Sequence, residues 1–234
     1  FFRELDEIAS PDNTNVGVAA ISAFASHQFG RANPYPYCPN PLDYVYKAQV
    51  KALSRDNGEL LTALRAQISD VEIDNKHQSL VVSGVQSSGN VFLEPKGALA
   101  DLKKAIEDEI VCYRNKFEDS DCLFIKNWPE KFSLLSWYVL LQEGGHLTSH
   151  NHDLGWLSGV TYLNMPRKMA EEGNIEFGLH GGTYLIRDAN YPKITYDVDQ
   201  ADIVLFPSSL YHRTIPFHSD ETRICIAFDV VPEG

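Results

Sequence analysis

The chain has 234 residues, 44% hydrophobic and 22% charged, with a formal net charge of −12. That length suits one large domain or two small ones. The acidic balance and the lack of any basic run argue against a nucleic-acid partner, because phosphate contacts need clustered Lys and Arg, and no apolar run approaches the ~20 residues of a membrane span.

Residues 1–76 read as a helical N-terminal segment. Over 41–54, Leu42, Val45, Ala48 and Leu53 fall near one stripe, and over 59–68 so do Leu60, Leu61, Leu64 and Ile68. The Pro-rich stretch 30–41 that precedes them is a loop. Two short strands are expected at 80–84 and 90–94, flanking the turn residues Ser87-Ser88-Gly89-Asn90. A covering helix follows at 97–117. There Leu99, Leu102, Ile106, Ile110 and Tyr113 form one apolar face, opposite Lys103, Lys104, Glu107 and Asp108.

From residue 122 the pattern turns to β. Strands are expected at 123–126, 133–142, 146–150, 157–163, 174–177, 183–186, 203–206 and 223–230, punctuated by Gly, Pro, Asn and Asp. So many short strands suggest a sandwich or barrel. The fold class is mostly β with flanking helices, divided into 1–76 and 77–234.

The densest chemistry lies in Gly144-Gly145-His146-Leu147-Thr148-Ser149-His150-Asn151-His152-Asp153. On an extended strand, His150 and His152 project to the same side, and two imidazoles chelate a first-row divalent metal well. His212, just past the run Ile203-Val204-Leu205-Phe206-Pro207-Ser208, is the candidate for a distant third ligand. Further on, Arg223, Cys225 and Ala227 alternate with Ile224, Ile226 and Phe228. An inward arginine beside small residues leaves room for a carboxylate that its fork can hold in two places.

Taken in order, His150-Asn151-His152, the strand Trp156 to Leu163, Leu205-Phe206-Pro207-Ser208 with His212, and Arg223 resemble the 2-oxoglutarate/Fe(II) oxygenases of the His-x-His type. They are more distantly similar to the aspartyl/asparaginyl β-hydroxylases. The resemblance is strongest over 137–230. It implies a double-stranded β-helix core of the jelly-roll or cupin-like kind, with Fe(II) at its open end and 2-oxoglutarate as cosubstrate. The implied reaction uses O2, hydroxylates an unidentified small-molecule or protein substrate, and releases succinate and CO2. His150 and His212 match ligand positions, and Arg223 matches the residue that pairs with the far carboxylate of the cosubstrate.

The superfamily motif carries a carboxylate where this chain has His152. Three readings stay open: His152 ligates and completes a three-histidine site, Asp153 ligates after a local twist, or only His150 and His212 bind. Tyr138 and Tyr162 are candidates to hydrogen-bond the cosubstrate. Cys225 stands where many relatives carry Ser or Thr and is a weaker donor.

Trp137 and Trp156 read first as packing residues, with Trp156 the better functional candidate of the two. His27, His77, His180 and His218 read as surface histidines, and His146 as a residue near the site mouth. The charged stretch 165–173 reads as a loop near the barrel opening. Two rival functions are a three-histidine cupin-like dioxygenase that does not use 2-oxoglutarate and a non-catalytic jelly-roll binding module. Cys38, Cys112, Cys122 and Cys225 form no CxxC pair. Reduced thiols and a cytoplasmic location are therefore expected. The chain begins at Phe1 without Met, and its first residues lack the apolar core of a signal peptide.

Overall fold

The computed structural model describes residues 2–9, 13–55, 58–69, 79–167, 169–181, 184–187 and 190–233. Two antiparallel sheets face each other, and helices cover the outer side of the larger one. The elements of the larger sheet are β1 (Tyr46–Gln49), β2 (Val81–Gln86), β3 (Phe132–Leu147), β4 (Leu157–Asn164), β7 (Asp202–Pro207) and β9 (Arg223–Pro232). Its spatial order is β1-β7-β4-β9-β3-β2. The smaller sheet runs β6-β5-β8, from β5 (Ile175–Gly178), β6 (Lys193–Tyr196) and β8 (Tyr211–Thr214).

Strand alternation sorts the side chains into two cores. Val139, Leu141, Val160, Tyr162, Val204 and Phe206 of the larger sheet meet Ile175 and Phe177 of the smaller one. On the other face, Leu134, Tyr138, Leu157, Ile203, Leu205, Ile226 and Phe228 pack beneath α4 (Glu59–Ser69) and α5 (Ala98–Lys116). This is the double-stranded β-helix with flanking helices.

Helix α5 follows the expected pattern: Leu99, Leu102, Ile106, Ile110 and Tyr113 are its buried residues. Each fully buried aliphatic side chain there is worth about 1.5–3 kcal/mol. The chain also forms α1 (Phe2–Ala9) and α2 (Val16–Phe29), the latter capped by the Asn15 side chain, which accepts from the Val18 N–H at 3.0 Å.

Several expected elements are corrected. Residues 41–54 are not one helix but a 3-10 turn (Pro41–Tyr44), strand β1 and the short α3 (Lys51–Ser54). The period-two alternation of Tyr46 to Gln49 lets β1 pair with β7, Tyr46 opposite Leu205. Residues 90–94 form a turn rather than a strand. The Asn90 carboxamide oxygen accepts from the N–H groups of Phe92 and Ser136, both at 3.0 Å, which folds the chain locally. Residues 123–126 are the short helix α6 (Leu123–Lys126); a four-residue apolar run carries no period to distinguish the two states. Residues 184–186 form no strand, whereas β6 and β8 are strands that went unanticipated. The boundary expected at 76–77 lies outside the described residues, as does His77.

One distortion aims the chain at the site. Between β2 and β3 the register jumps from Gly84↔Leu141 to Val82↔His146, so extra residues of β3 loop out. Gly144 takes φ 74 there, which glycine alone adopts freely, and its N–H donates to the Phe217 carbonyl at 2.8 Å. Beyond this bulge, β3 leads directly into His150 and His152.

Candidate active site

His150, His152 and His212 converge between the two sheets. His150 follows β3 and forms an isolated antiparallel bridge with His212 of β8. The His150 N–H donates to the His212 carbonyl at 3.1 Å, and the His212 N–H returns the bond at 2.9 Å. The His152 N–H donates to the Ser208 carbonyl at 3.0 Å. Backbone bonds thus fix all three residues before any metal arrives.

The side chains are fixed as well. Nδ1 of His150 bonds the Thr148 carbonyl at 2.7 Å, and Nδ1 of His212 bonds the Leu210 carbonyl at 3.2 Å. Nδ1 of His152 bonds Oδ1 of Asp229 at 2.6 Å. A carbonyl or carboxylate can only accept, so each Nδ1 carries a hydrogen, and in the neutral ring that leaves Nε2 as the ligating nitrogen.

Among the described residues, these three are the one group of potential metal ligands that meets so closely, with one ring nitrogen from each within 4.8 Å of the others. A facial set with bonds of about 2.1 Å needs nitrogens about 3 Å apart, so binding draws the rings slightly inward. Burial and the neighbouring His152 lower the pKa of His150 to about 4. Burial, with His150 and His152 beside it, holds His212 well below the ordinary histidine value. Both are therefore neutral near pH 7, the form that ligates. This donor set fits a divalent first-row ion. Asp153 is exposed, bonds Asn151 and lies outside the group.

A slot of about 40 Å³ joins the histidines to Arg223, past Tyr162, Val160 and Cys225. It is narrow, so a five-carbon diacid enters only as the side chains along it adjust. Arg223 is 2% exposed. Its Nε donates to the Gly173 carbonyl at 3.1 Å, its Nη1 contacts Cys225 Sγ at 3.5 Å, and its guanidinium lies 4.9 Å from the Tyr162 ring centre. No acidic side chain among the described residues pairs with it. A buried guanidinium without a counter-anion is costly, and it fits the far carboxylate of a diacid whose other end reaches the metal.

Tyr162 lines this slot, and its hydroxyl has no hydrogen-bond partner among the described residues. Tyr138 does not line it. Alternation turns Trp137 and Val139 inward and Tyr138 outward beneath the helices, which corrects its expected place beside the cosubstrate.

Trp156 is likewise remote: its ring stacks on Phe124 and its N–H donates to the Phe124 carbonyl at 3.0 Å. Trp137, with its ring 5.5 Å from that of His152, is the tryptophan at the site. The 165–173 stretch borders the Arg223 end, through Gly173, rather than the entrance. His180 is not a solvated histidine, because its ring lies against Phe24 and Tyr191. His27 also packs on Tyr191, whereas His218 is exposed and bonds Glu172 at 2.7 Å. His146 faces a neighbouring cavity of about 420 Å³ with Glu176, Tyr211 and Arg213.

An open hollow of about 270 Å³ reaches His150 and His152, walled by Leu80, Leu135, Trp137, Leu147 and Leu154 together with Asp153 and Asp229, with no Lys or Arg. Sequence reasoning missed three polar residues behind the site: Asp229, Ser158 and Ser208. One signal was available. Asp229 is the only charged residue after Arg223 within β9, and it shares the inward parity of Arg223, Cys225 and Ala227.

Comparisons with known proteins agree with this geometry. A family described as "Putative 2OG-Fe(II) oxygenase" matches residues 135–229. No curated protein sequence matches the chain. Among solved structures, a prolyl-4-hydroxylase of Pseudomonas putida aligns with TM-score 0.54 at 16% identity, covering 81% of this chain and 93% of that one. HygX of Streptomyces hygroscopicus, solved with nickel, 2-oxoglutarate and hygromycin B bound, gives TM-score 0.53 at 14% identity, covering 80% and 82%. A prolyl hydroxylase of Trichoplax adhaerens, solved with a hypoxia inducible factor peptide fragment, gives 0.55 at 11%, covering 90% and 89%. These likenesses establish the shared fold, and the family match spans the strands and loops that carry His150, His152, His212 and Arg223. Residues 135–229, which carry all four of these side chains, match the family of 2-oxoglutarate- and Fe(II)-dependent oxygenases.

Proposed function

We propose that His150, His152 and His212 hold the Fe(II), that Arg223 anchors 2-oxoglutarate, and that the enzyme hydroxylates a substrate entering over His150 and His152. One observation supports this reading: three imidazoles, each offering a ring nitrogen within 4.8 Å of the others, line the same slot as a buried arginine that has no acidic partner among the described residues. Bound there, iron and 2-oxoglutarate supply the oxidising power from O2, with the cosubstrate leaving as succinate and CO2.

The protein's own part is positional. Arg223 fixes one end of the diacid and so sets where its other end meets the histidines. Phe206 and Phe177 lie against the ring of His212, at 4.6 and 6.1 Å between centres, and exclude water from its side of the centre. The hollow over His150 and His152 carries Asp153 and Asp229 beside its leucines and no basic residue, which favours an uncharged or cationic group at the reacting position. No side chain is needed as a general base.

No helix among the described residues is long and apolar enough to cross a membrane. A cytoplasmic setting is part of this reading and is supported by four unpaired cysteines.

The test is anaerobic titration of the Fe(II)-loaded protein with 2-oxoglutarate. A visible charge-transfer band is expected, saturating at one equivalent. His212→Ala is expected to abolish both one-to-one Fe(II) binding and the band. If the band is absent from the wild type, or persists in the variant, the assignment fails.

A further inference from the structure

The three histidines are not equivalent. His150 and His212 give their Nδ1 hydrogens to backbone carbonyls, which are neutral, whereas His152 gives its hydrogen to a carboxylate. That carboxylate is buried: Asp229 is 4% exposed. Among the described residues it has no Lys or Arg partner; its one ionic contact is Nδ1 of His152, at 2.6 Å. A carboxylate removed from water without a cation is strongly unfavourable. A cation on the far nitrogen of His152 would place positive charge one imidazole away from Asp229.

The surroundings are built around this acid. Ser158, 0% exposed, donates its hydroxyl hydrogen to the same Oδ1 at 2.6 Å, and its oxygen lies 2.8 Å from Ser208 Oγ, also on a residue 0% exposed. Register places Ser158 directly opposite Asp229, on β4 and β9. Gly155 keeps the space clear: a Cβ there would lie 2.5 Å from Ser208 Oγ and 3.1 Å from Cβ and Cγ of Asp229. The acid thus sits at the end of a chain of buried donors, with His152 between it and the metal position.

We infer that Asp229 is a positioning residue that acts through His152: it fixes the Nδ1–H tautomer and makes that imidazole an electron-rich ligand, supplying from one hydrogen bond away the negative charge that three neutral imidazoles lack. The inference rests on the assignment of His150, His152 and His212 as metal ligands. Carboxylates behind ligating histidines raise ligand basicity, and their loss costs 10–100-fold in metal affinity or activity.

The test uses metal binding, not turnover. Asp229→Asn keeps the shape and an acceptor oxygen but removes the charge. Anaerobic titration with Co(II) and Fe(II) is expected to give binding about 10–100-fold weaker than wild type. The Fe(III)/Fe(II) midpoint potential should rise, since the less electron-rich ligand disfavours the higher charge. A second background separates charge from packing. His152→Asp places a carboxylate directly on the metal position, facing Asp229. In that background Asp229→Asn relieves like-charge repulsion and is expected to strengthen Co(II) binding.

An acid that serves only packing would weaken binding in both backgrounds, and that result overturns the inference. So does an unchanged affinity and potential in the single variant. A measurement on unaltered protein covers variants that fail to fold. In the Zn(II) form labelled with 15N-histidine, the Nδ1 proton of His152 should resonate furthest downfield of the three, and coincidence with the others counts against the inference. If the wild type binds no metal, the ligand assignment falls as well; if it binds but Asp229→Asn matches it, only the role of Asp229 falls.

Discussion

Arg223 shows how much a single buried charge can specify. Its guanidinium is walled by the Tyr162 ring, the Cys225 thiol and the Gly173 carbonyl, and none of these neutralises it. Lysine at this position would keep the charge but lose the planar fork. Arg223→Lys is expected to raise the half-saturating 2-oxoglutarate concentration at least about ten-fold, leaving Fe(II) affinity within about two-fold. A spectroscopic titration with each ligand in turn checks this. At this scale the sequence was informative. The alternation of Arg223, Cys225 and Ala227 against Ile224, Ile226 and Phe228 is the alternation observed. Tyr138 was misplaced because its strand was recognised but its parity relative to the site was not. Asp229 was missed because its partner His152 lies 77 positions away in sequence, and no local pattern connects them.

Among the elements, those whose stability is local were the legible ones. Helix α5 repeats its apolar residues from Leu99 to Tyr113, over about four turns, so its buried face could be read before the fold was known. Leu102 is 0% exposed at the centre of that face. Leu102→Ala is expected to destabilise the protein by about 2–5 kcal/mol, measured by urea unfolding, because the sheet beneath cannot collapse into the gap. Strands β1, β6 and β8, of four residues each, were illegible for the opposite reason: they exist through distant partners.

The smaller sheet is also held by charge. Glu176 of β5 meets Lys193 of β6 at 3.1 Å and Arg213 of β8 at 2.7 Å. Burial alone would raise its pKa, but those two hydrogen bonds outweigh it and hold the carboxyl below its ordinary 4.5. A depressed folded pKa gives stability that is full above the unfolded value and is lost as pH falls through the folded one. Glu176→Gln should therefore melt at a lower temperature than wild type at pH 7. The gap should close from about pH 4.5 downward, as thermal scans across pH would show.

At the scale of the whole molecule, the sequence revealed a β-rich body, a covering helix and a metal constellation. It concealed how closely the first third is joined to the rest. Val50, Leu53, Leu61, Leu64 and Ile68 share one core with Ile203, Leu205, Ile226 and Phe228. β1 closes one border of the larger sheet along β7, and β2 closes the other along β3. A helical reading of residues 1–76 has no place for that seam, because a strand's partner is invisible in its own residues.

The seam has a practical side. The family match starts at residue 135, after α1–α5, β1 and β2. Someone trimming the gene to those limits would strip both borders of the larger sheet and peel the lid from a row of leucine, isoleucine and phenylalanine side chains. Unpaired strand borders recruit their own kind. A 135–229 fragment is expected to emerge from expression in inclusion bodies, or to elute in the void volume of a sizing column, while the longer chain elutes as a discrete species. On this expectation, the stretch that carries the family signature is shorter than the smallest piece that stays dissolved.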